Sequence, residues 1–360
     1  MNLTELYYKL PKKIRYSERF ILFCIKLAKP FHKKKTHEKE INYTLNYLFK
    51  SSDVKIEGTL RNIQLLYAEL LRFIDNICKK YNLDYCLAYG TLLGAIRHDG
   101  FIPWDDDCDI IMIRNDYNKL IEVLPSEINK HKFLKENIGL TKLVGFRENY
   151  FNNVKTLYDE ELGHDVYFHD YNKAPKQFDS KYNEKLPNLC KSLFLQIGWL
   201  KPMVRLDIFP YDYIEEKSLN HYDKHYRPAK VSFRNFFADD DFSYEKEFNK
   251  HFDKLGLTLE KTKYVGEGID GSDEYVGSYD SSMFFPVKTH KFEGYDLKCP
   301  NKSEELLKRW YGESYMSIPQ AIVMHGYSEY NSRFFDSIED MNESFKLAIN
   351  ELKKINDEFE

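Results

Sequence analysis

The feature that most limits what this chain can fold into is a run of acids set directly against an apolar stretch. Asp105, Asp106, Asp107 and Asp109 lead into Ile110, Ile111, Met112 and Ile113. Side chains alternate faces along a strand, so Asp107 and Asp109 point the same way, and Asp105 joins them if the extended backbone starts early enough. Carboxylates held this close repel and raise one another's pKa. A divalent cation removes that cost, and hard oxygen ligands suit Mg²⁺ or Mn²⁺ better than zinc. Most Asp runs are solvated turns, but this one abuts a strand and not a polar tail. Upstream, the apolar Tyr85 to Tyr89 segment is followed by Gly90-Thr91, read as a turn, and by a compact apolar segment from Leu92 to Ile96. The backbone N–H groups of such a turn and the Thr91 hydroxyl can hold a phosphate. A phosphate holder joined to a metal holder by one strand-turn-strand unit reads as nucleotide phosphate chemistry.

The stretch from Tyr85 to Arg114, YCLAYGTLLGAIRHDGFIPWDDDCDIIMIR, resembles the signature of LicD-type phosphotransferases. These include bacterial phosphocholine transferases and are related to fukutin and fukutin-related protein. They are similar in turn to the nucleotidyltransferase superfamily, whose Gly-Ser/Thr and Asp-hydrophobic-Asp pattern is matched here by Gly90-Thr91 and Asp107-Cys108-Asp109. The fifteen residues between Thr91 and Asp107 make a long connector for that superfamily but fit the LicD-type branch.

Two later stretches extend the resemblance. VRLDIFPYDY, from Val204, reads as a strand ending at Pro210 with Asp207 among apolar residues. A lone buried carboxylate needs a partner. The partner is either Arg205, on the same strand face, or a cation shared with Asp107 and Asp109. The superfamily's third carboxylate sits on such a strand, which favours the second reading, with Asp212 as the alternative acid. Residues 284–319 resemble the family through a Phe-Pro, a Phe-Glu-Gly, a Pro before a helix and a Tyr-Gly-x-x-x-Met ending. Here Phe284 to Val287 and Lys291 to Leu297 read as a hairpin. The resemblance spans about residues 60–325 and leaves out 1–50 and 145–200.

The resemblance implies an α/β (α+β) fold: a nucleotidyltransferase-like mixed sheet core with flanking helices and a helical or inserted layer. It implies Mg²⁺- or Mn²⁺-dependent transfer of a phospho-alcohol, foremost phosphocholine, from a CDP-alcohol to a hydroxyl of a cell-surface glycan such as lipopolysaccharide or teichoic acid. Asp107, Asp109 and Asp207 would hold the metal, and Asp207 or Asp105 would take the acceptor's proton. Gly90, Thr91, Arg97 and Lys288 would bind donor phosphate. A quaternary ammonium wants aromatic faces, and Trp104, Tyr89 and Tyr311 are the walls on offer. The rival readings are a nucleotidyltransferase acting on a small alcohol, a metal-dependent glycosyltransferase, and a catalytically silent scaffold.

Charge and periodicity complete the layout. Residues 1–35 carry ten Lys/Arg against Glu5 and Glu18, around the apolar FILFC segment. That apolar segment, FILFCIKLAKPF from Phe20, is too short to span a bilayer but suits the surface of an anionic membrane; packing on the enzyme body is the equal alternative. The whole chain is near balance at −4, which gives no case for nucleic acid. The six cysteines form no Cys-x-x-Cys pair, so a reducing cytoplasm is the simplest compartment, peripheral contact with the inner membrane face aside. His164, Asp165 and His169 lack a zinc spacing and read as polar surface.

Expected domains are a basic segment and connector over 1–58, a catalytic domain over 59–330 with a variable insertion near 145–200, and a C-terminal helix over 331–360. Ile63, Leu66, Leu70, Ile74 and Ile77 predict a helix through Tyr81. A further helix is expected from Tyr117 to Leu124, stopped by Pro125. Helices are also expected across 215–262, with a turn-rich stretch over 264–283.

Overall fold

A computed structural model of the chain describes residues 56–142, 155–159, 164–168, 195–199, 204–236, 244–271, 277–317 and 335–359. The basic leader, His169 and most of the expected insertion lie outside the described residues.

The expected first helix forms. α1 runs Thr59–Tyr81 and ends at Asn82, whose left-handed backbone (φ 53) lets its N–H reach the Lys79 and Cys78 carbonyls. Asn is one of the few residues that tolerates that conformation. Then come β1 (Cys86–Leu87), α2 (Tyr89–His98), β2 (Cys108–Ile113), α3 (Arg114–Asn129), α4 (Lys132–Asn137), β3 (Ile138–Lys142), β4 (Lys155–Asp159), β5 (His164–Phe168), β6 (Leu195–Trp199) and β7 (Arg205–Ile214). Next are α5 (Leu219–Phe236), α6 (Tyr244–Leu255), β8 (Leu257–Thr258), β9 (Tyr264–Glu267), β10 (Ser278–Asp280), β11 (Lys288–Phe292), β12 (Tyr295–Cys299), α7 (Ser303–Tyr311) and α8 (Ile338–Asp357). The class is the expected mixed α/β one.

The centre is an eight-stranded mixed sheet in which β1, β2, β7, β6 and β3 are neighbours in that order, while β8 and β9 also pair with β7 and β10 pairs with β9. Among the described residues only β2 and β7 run parallel; the other pairings in this sheet are antiparallel. Alternation divides the two central strands cleanly. Ile110, Met112, Leu206 and Ile208 join the core cluster built on α1 and α8. Ile111, Ile113, Phe209, Tyr211 and Tyr213 face an aromatic cluster with Tyr89, Tyr279 and Phe284. α8 lies along α1, with Asn356 donating to the Glu69 carbonyl at 2.9 Å and Asn62 to Asn342 at 2.8 Å.

Several boundaries differ from expectation. β7 does not stop at Pro210 but continues to Ile214. On its far edge β6 ends opposite Ile208 and β9 begins opposite Tyr211, so the residue that cannot donate sits in the gap between partners. Its carbonyl still accepts from Gly268 N–H at 2.8 Å. Pro125 does not end α3, which runs on to Asn129. Burial of Leu124, Glu127 and Ile128 holds the turn around it despite the lost hydrogen bond. The stretch 264–283 contains β9 and β10. The hairpin lies later than expected, at β11 and β12, because Glu293 and Gly294 both take positive φ (51° and 90°) and form the turn.

Glu127 anchors α3 to α1. Tyr81 Oη and Lys130 Nζ donate to it at 2.6 Å and Lys80 Nζ at 3.0 Å. Burial pushes its carboxyl up, but the hydrogen bonds from Lys130, Tyr81 and Lys80 outweigh that and bring it down to about 2. A depressed folded pKa contributes stability above the unfolded value, and that contribution is lost as pH falls through the folded one. Glu127→Gln is therefore expected to lower stability by roughly 1–2 kcal/mol at neutral pH. The gap should close between the ordinary glutamate value of 4.5 and about 2; urea unfolding across that range checks it.

Candidate active site

The parallel pairing of β2 and β7 sets Asp109 directly opposite Asp207. Register partners on adjacent strands share a face, and this face continues into the aromatic cluster. Tyr89 is 5.5 Å from Phe209 and 4.9 Å from Trp310, ring centre to ring centre. The two acids thus stand near the start of their strands, where an apolar layer gives way to the acid-bearing segment before β2. Asp109 is buried and Asp207 partly so.

Asp105 and Asp107 complete the cluster. Asp105 is held well above the usual carboxylate range, first by burial and then by the charge of Asp107, with which its side chain hydrogen-bonds. Its Oδ2 is buried and has no hydrogen-bond partner. That oxygen lies 2.8 Å from where a Cβ on Gly90 would be, so Gly90 is the space that Asp105 occupies. Asp106 is fully buried.

Gly90 and Thr91 are not a turn: they lie in the first turn of α2, and Leu92 to Ile96 is helix. A short apolar run does not separate helix from strand by periodicity alone. Packing decides here, since Gly94 allows the helix to meet the 100–102 backbone: a Cβ on it would stand 2.4 Å from the Gly100 carbonyl. Backbone N–H groups in a first helical turn lack partners within the helix, so the anion-binding capacity remains. The Thr91 hydroxyl is fully buried and accepts from Asp109 N–H at 2.8 Å. It ties the helix start to the acid strand.

The other expected residues are spread more widely. Arg97, at the far end of α2, donates through Nη1 to the carbonyls of Tyr315 (2.8 Å) and Ser317 (3.1 Å) and through Nε to His98 (2.9 Å). Burial draws its pKa down to about 10, opposed by Asp105 and then Tyr311, so it stays a cation within electrostatic reach of Asp105. Trp104 lies under its guanidinium at 5.9 Å, whereas Tyr89 belongs to the aromatic cluster. Of the three expected aromatic walls, Trp104 lies by Arg97, Tyr311 acts on Arg97 through its charge, and Tyr89 packs on Trp310. Lys288 is exposed at the start of β11, paired across the hairpin with Cys299. Asp212 is no alternative acid. It is fully buried and takes Arg114 Nε and Nη2 at 2.7 and 2.8 Å, while Asp270 takes the other side of the same guanidinium.

Among the described residues no three His, Cys, Asp or Glu side chains are already gathered to hold an ion. The expected three-ligand cage of Asp107, Asp109 and Asp207 is thus not preformed. The donor set still suits a hard cation. Mg²⁺ is usually held by one or two carboxylates with waters and substrate phosphates. The buried, partnerless Asp105 Oδ2 is the kind of oxygen a cation would satisfy.

A family model described as LicD/FKTN/FKRP, nucleotidyltransferase domain, matches residues 82–187. It reaches into the 145–200 stretch that the sequence resemblance left out. The chain is 27% identical over 282 residues to the lipopolysaccharide cholinephosphotransferase LicD of Haemophilus influenzae, covering 72% of this chain and 92% of that protein. A shorter match of 57 residues, 42% identical, is to an uncharacterised protein of Rickettsia prowazekii and covers 16% of this chain and 21% of that one.

Two outcomes follow from the geometry. Thr91→Val removes the acceptor of the Asp109 N–H and is expected to cost about 1–3 kcal/mol. Thr91→Ser should restore most of it in the same denaturant titration. Asp105 binds its proton more tightly folded than unfolded, so its presence destabilises the metal-free protein as pH rises above the usual carboxylate range. Asp105→Asn should then raise the metal-free melting temperature near pH 7 and leave it unchanged near pH 3.5, as scanning calorimetry would read.

Proposed function

We propose that this chain, a member of the LicD family, transfers a phospho-alcohol from a CDP-alcohol donor to a hydroxyl of a glycan acceptor. The observation that carries the reading is a pair of acid contacts: Asp109 across from Asp207 on the parallel strands, and Asp105, set against Gly90 at the start of α2, hydrogen-bonded with Asp107. Asp105, buried with an unpartnered oxygen and pushed up first by burial and then by Asp107, is costly to ionise without a cation or substrate to meet. The relative's substrates, phosphocholine and lipopolysaccharide, name the first donor and acceptor to try. Buried free cysteines at 78, 86, 108 and 299 suit a reducing compartment. Among the described residues no helix is long and apolar enough to cross a membrane.

In this reading the acceptor oxygen forms a bond to the phosphorus that carries the alcohol. The bond from that phosphorus to the bridging oxygen breaks, and CMP leaves with the bridging oxygen. The acceptor's proton goes to a carboxylate, with Asp207 first and Asp105 second. Asp109 and Asp107 are the carboxylates that would hold Mg²⁺ or Mn²⁺, aided by Asp207. Such an ion neutralises charge on the donor phosphates. The first-turn N–H groups of Gly90 and Thr91 face donor phosphate, and Arg97 adds positive charge near Asp105. Phosphoryl transfer needs positioning and charge neutralisation more than covalent catalysis.

The test is a panel of CDP-alcohols with Mg²⁺ or Mn²⁺ and glycan acceptors, followed for CMP. Release of CMP with transfer of the phospho-alcohol is expected. Pyrophosphate would point to a nucleotidyltransferase, and a free nucleoside diphosphate from a nucleotide sugar to a glycosyltransferase. Asp107→Asn, Asp109→Asn and Asp207→Asn should each lower turnover by roughly 10³-fold or more with the fold intact by circular dichroism. Near-normal turnover in all three would sink the reading.

A further inference from the structure

The segment that carries Asp105 has no regular structure of its own from Phe101 to Asp107. It is held from outside. Gln64, buried on α1, spends its amide N–H groups on three carbonyls of this segment, Ile102 (3.2 Å), Pro103 (3.3 Å) and Asp105 (3.0 Å). Arg61, one turn earlier, donates to Gln64 Oε1 at 3.2 Å and to both Glu293 oxygens at 2.9 and 2.6 Å. Glu293 sits in the β11–β12 turn. Its Oε1 also accepts from Phe101 N–H at 3.1 Å, and its own N–H donates to the Asp99 carbonyl at 2.9 Å. A Cβ on Gly100 would lie 2.5 Å from Glu293 Oε1, so the segment turns closely around that carboxylate.

Two distant parts of the chain, α1 and the hairpin turn, therefore grip both ends of the segment between Asp99 and Asp105. Charge and shape are both used: the Arg61–Glu293 pair is bidentate, which fixes direction as well as distance. The Phe292-Glu293-Gly294 triplet places the acid in a tight turn that presents it to the Gly100 bend. None of these three side chains belongs to the acid cluster.

We propose that Glu293, acting with Arg61 and Gln64, is a positioning residue for the transfer reaction. It fixes residues 99–105 so that the Asp105 carboxylate stands against Gly90 and beside Asp107. The inference rests on the acid-cluster reading above and adds to it a site of control outside the cluster.

Kinetics and amide hydrogen exchange on the full chain test it together. Glu293→Ala is expected to lower kcat roughly 10- to 100-fold, with donor KM changed by less than about threefold, because misplacement of a catalytic group acts on turnover. Exchange should quicken in peptides covering 99–107 and stay unchanged in β2 and β7. Glu293→Gln keeps an acceptor for Phe101 N–H and should recover most of kcat. Gln64→Leu gives the same pattern from α1 and serves if Glu293→Ala does not fold. In an Asp105→Asn background, Glu293→Ala should cost no more than about twofold, since its effect runs through that acid. A full additional loss in that background overturns the proposal, as does a kcat loss without faster exchange over 99–107. If Asp105→Asn itself turns over normally, the proposal falls while the reading tested on Asp107, Asp109 and Asp207 stands. If those three variants are also active, both fall.

Discussion

The parallel contact between β2 and β7 puts two like charges about one strand spacing apart, and much of the surrounding structure answers to that. Two unit charges roughly 5 Å apart repel by about 3 kcal/mol at an effective dielectric of about 20. The aromatic face behind Asp109 and Asp207 keeps water from screening them on one side. Thr91 fixes the backbone of Asp109, and Gly90 leaves room for Asp105. Asp105 lowers the strain locally by sharing a hydrogen bond with Asp107.

The other end of the same two strands shows what a closed arrangement looks like. Arg114 directly follows β2, and Asp212 lies on β7; together with Asp270 they form a fully buried ion cluster. The guanidinium is capped by the rings of Phe248 and Tyr117 at 4.9 and 5.4 Å. Breaking such a buried pair from one side strands a charge, so its role is to hold strands and loop together. One sheet thus carries two acidic ends. Arginine closes one of them; at the other, Arg205 precedes Asp207 by two residues on β7, with its backbone N–H bound to Tyr67 Oη.

The sequence made the skeleton of this arrangement readable because the informative elements are strongly periodic. α1 could be read from Ile63 to Ile77, and the acid strand from its alternation. Asp207 could be placed on a second strand because a lone acid among apolar residues needs a reason. The Leu92–Ile96 helix was not readable, because five apolar residues fit either element and the deciding contact, Gly94 against Gly100, is tertiary. Pro210 misled for a related reason: proline ends a strand only where both edges are paired in line, and here one edge changes partner. The roles of Gln64 and Glu293 were hidden because each acts on residues far away in sequence. A Phe-Glu-Gly triplet marked Glu293 as notable without saying what it holds.

The α1–α8 pairing has a consequence for how the molecule assembles. Its hydrogen bonds join residues 280 or more positions apart. Contacts of that separation cost the most loop entropy and give a chain a high contact order, which slows folding. During synthesis α1 is made well before α8, the helix that finishes covering its apolar stripe. Until α8 is made, part of that stripe stays open to aggregation or chaperone capture.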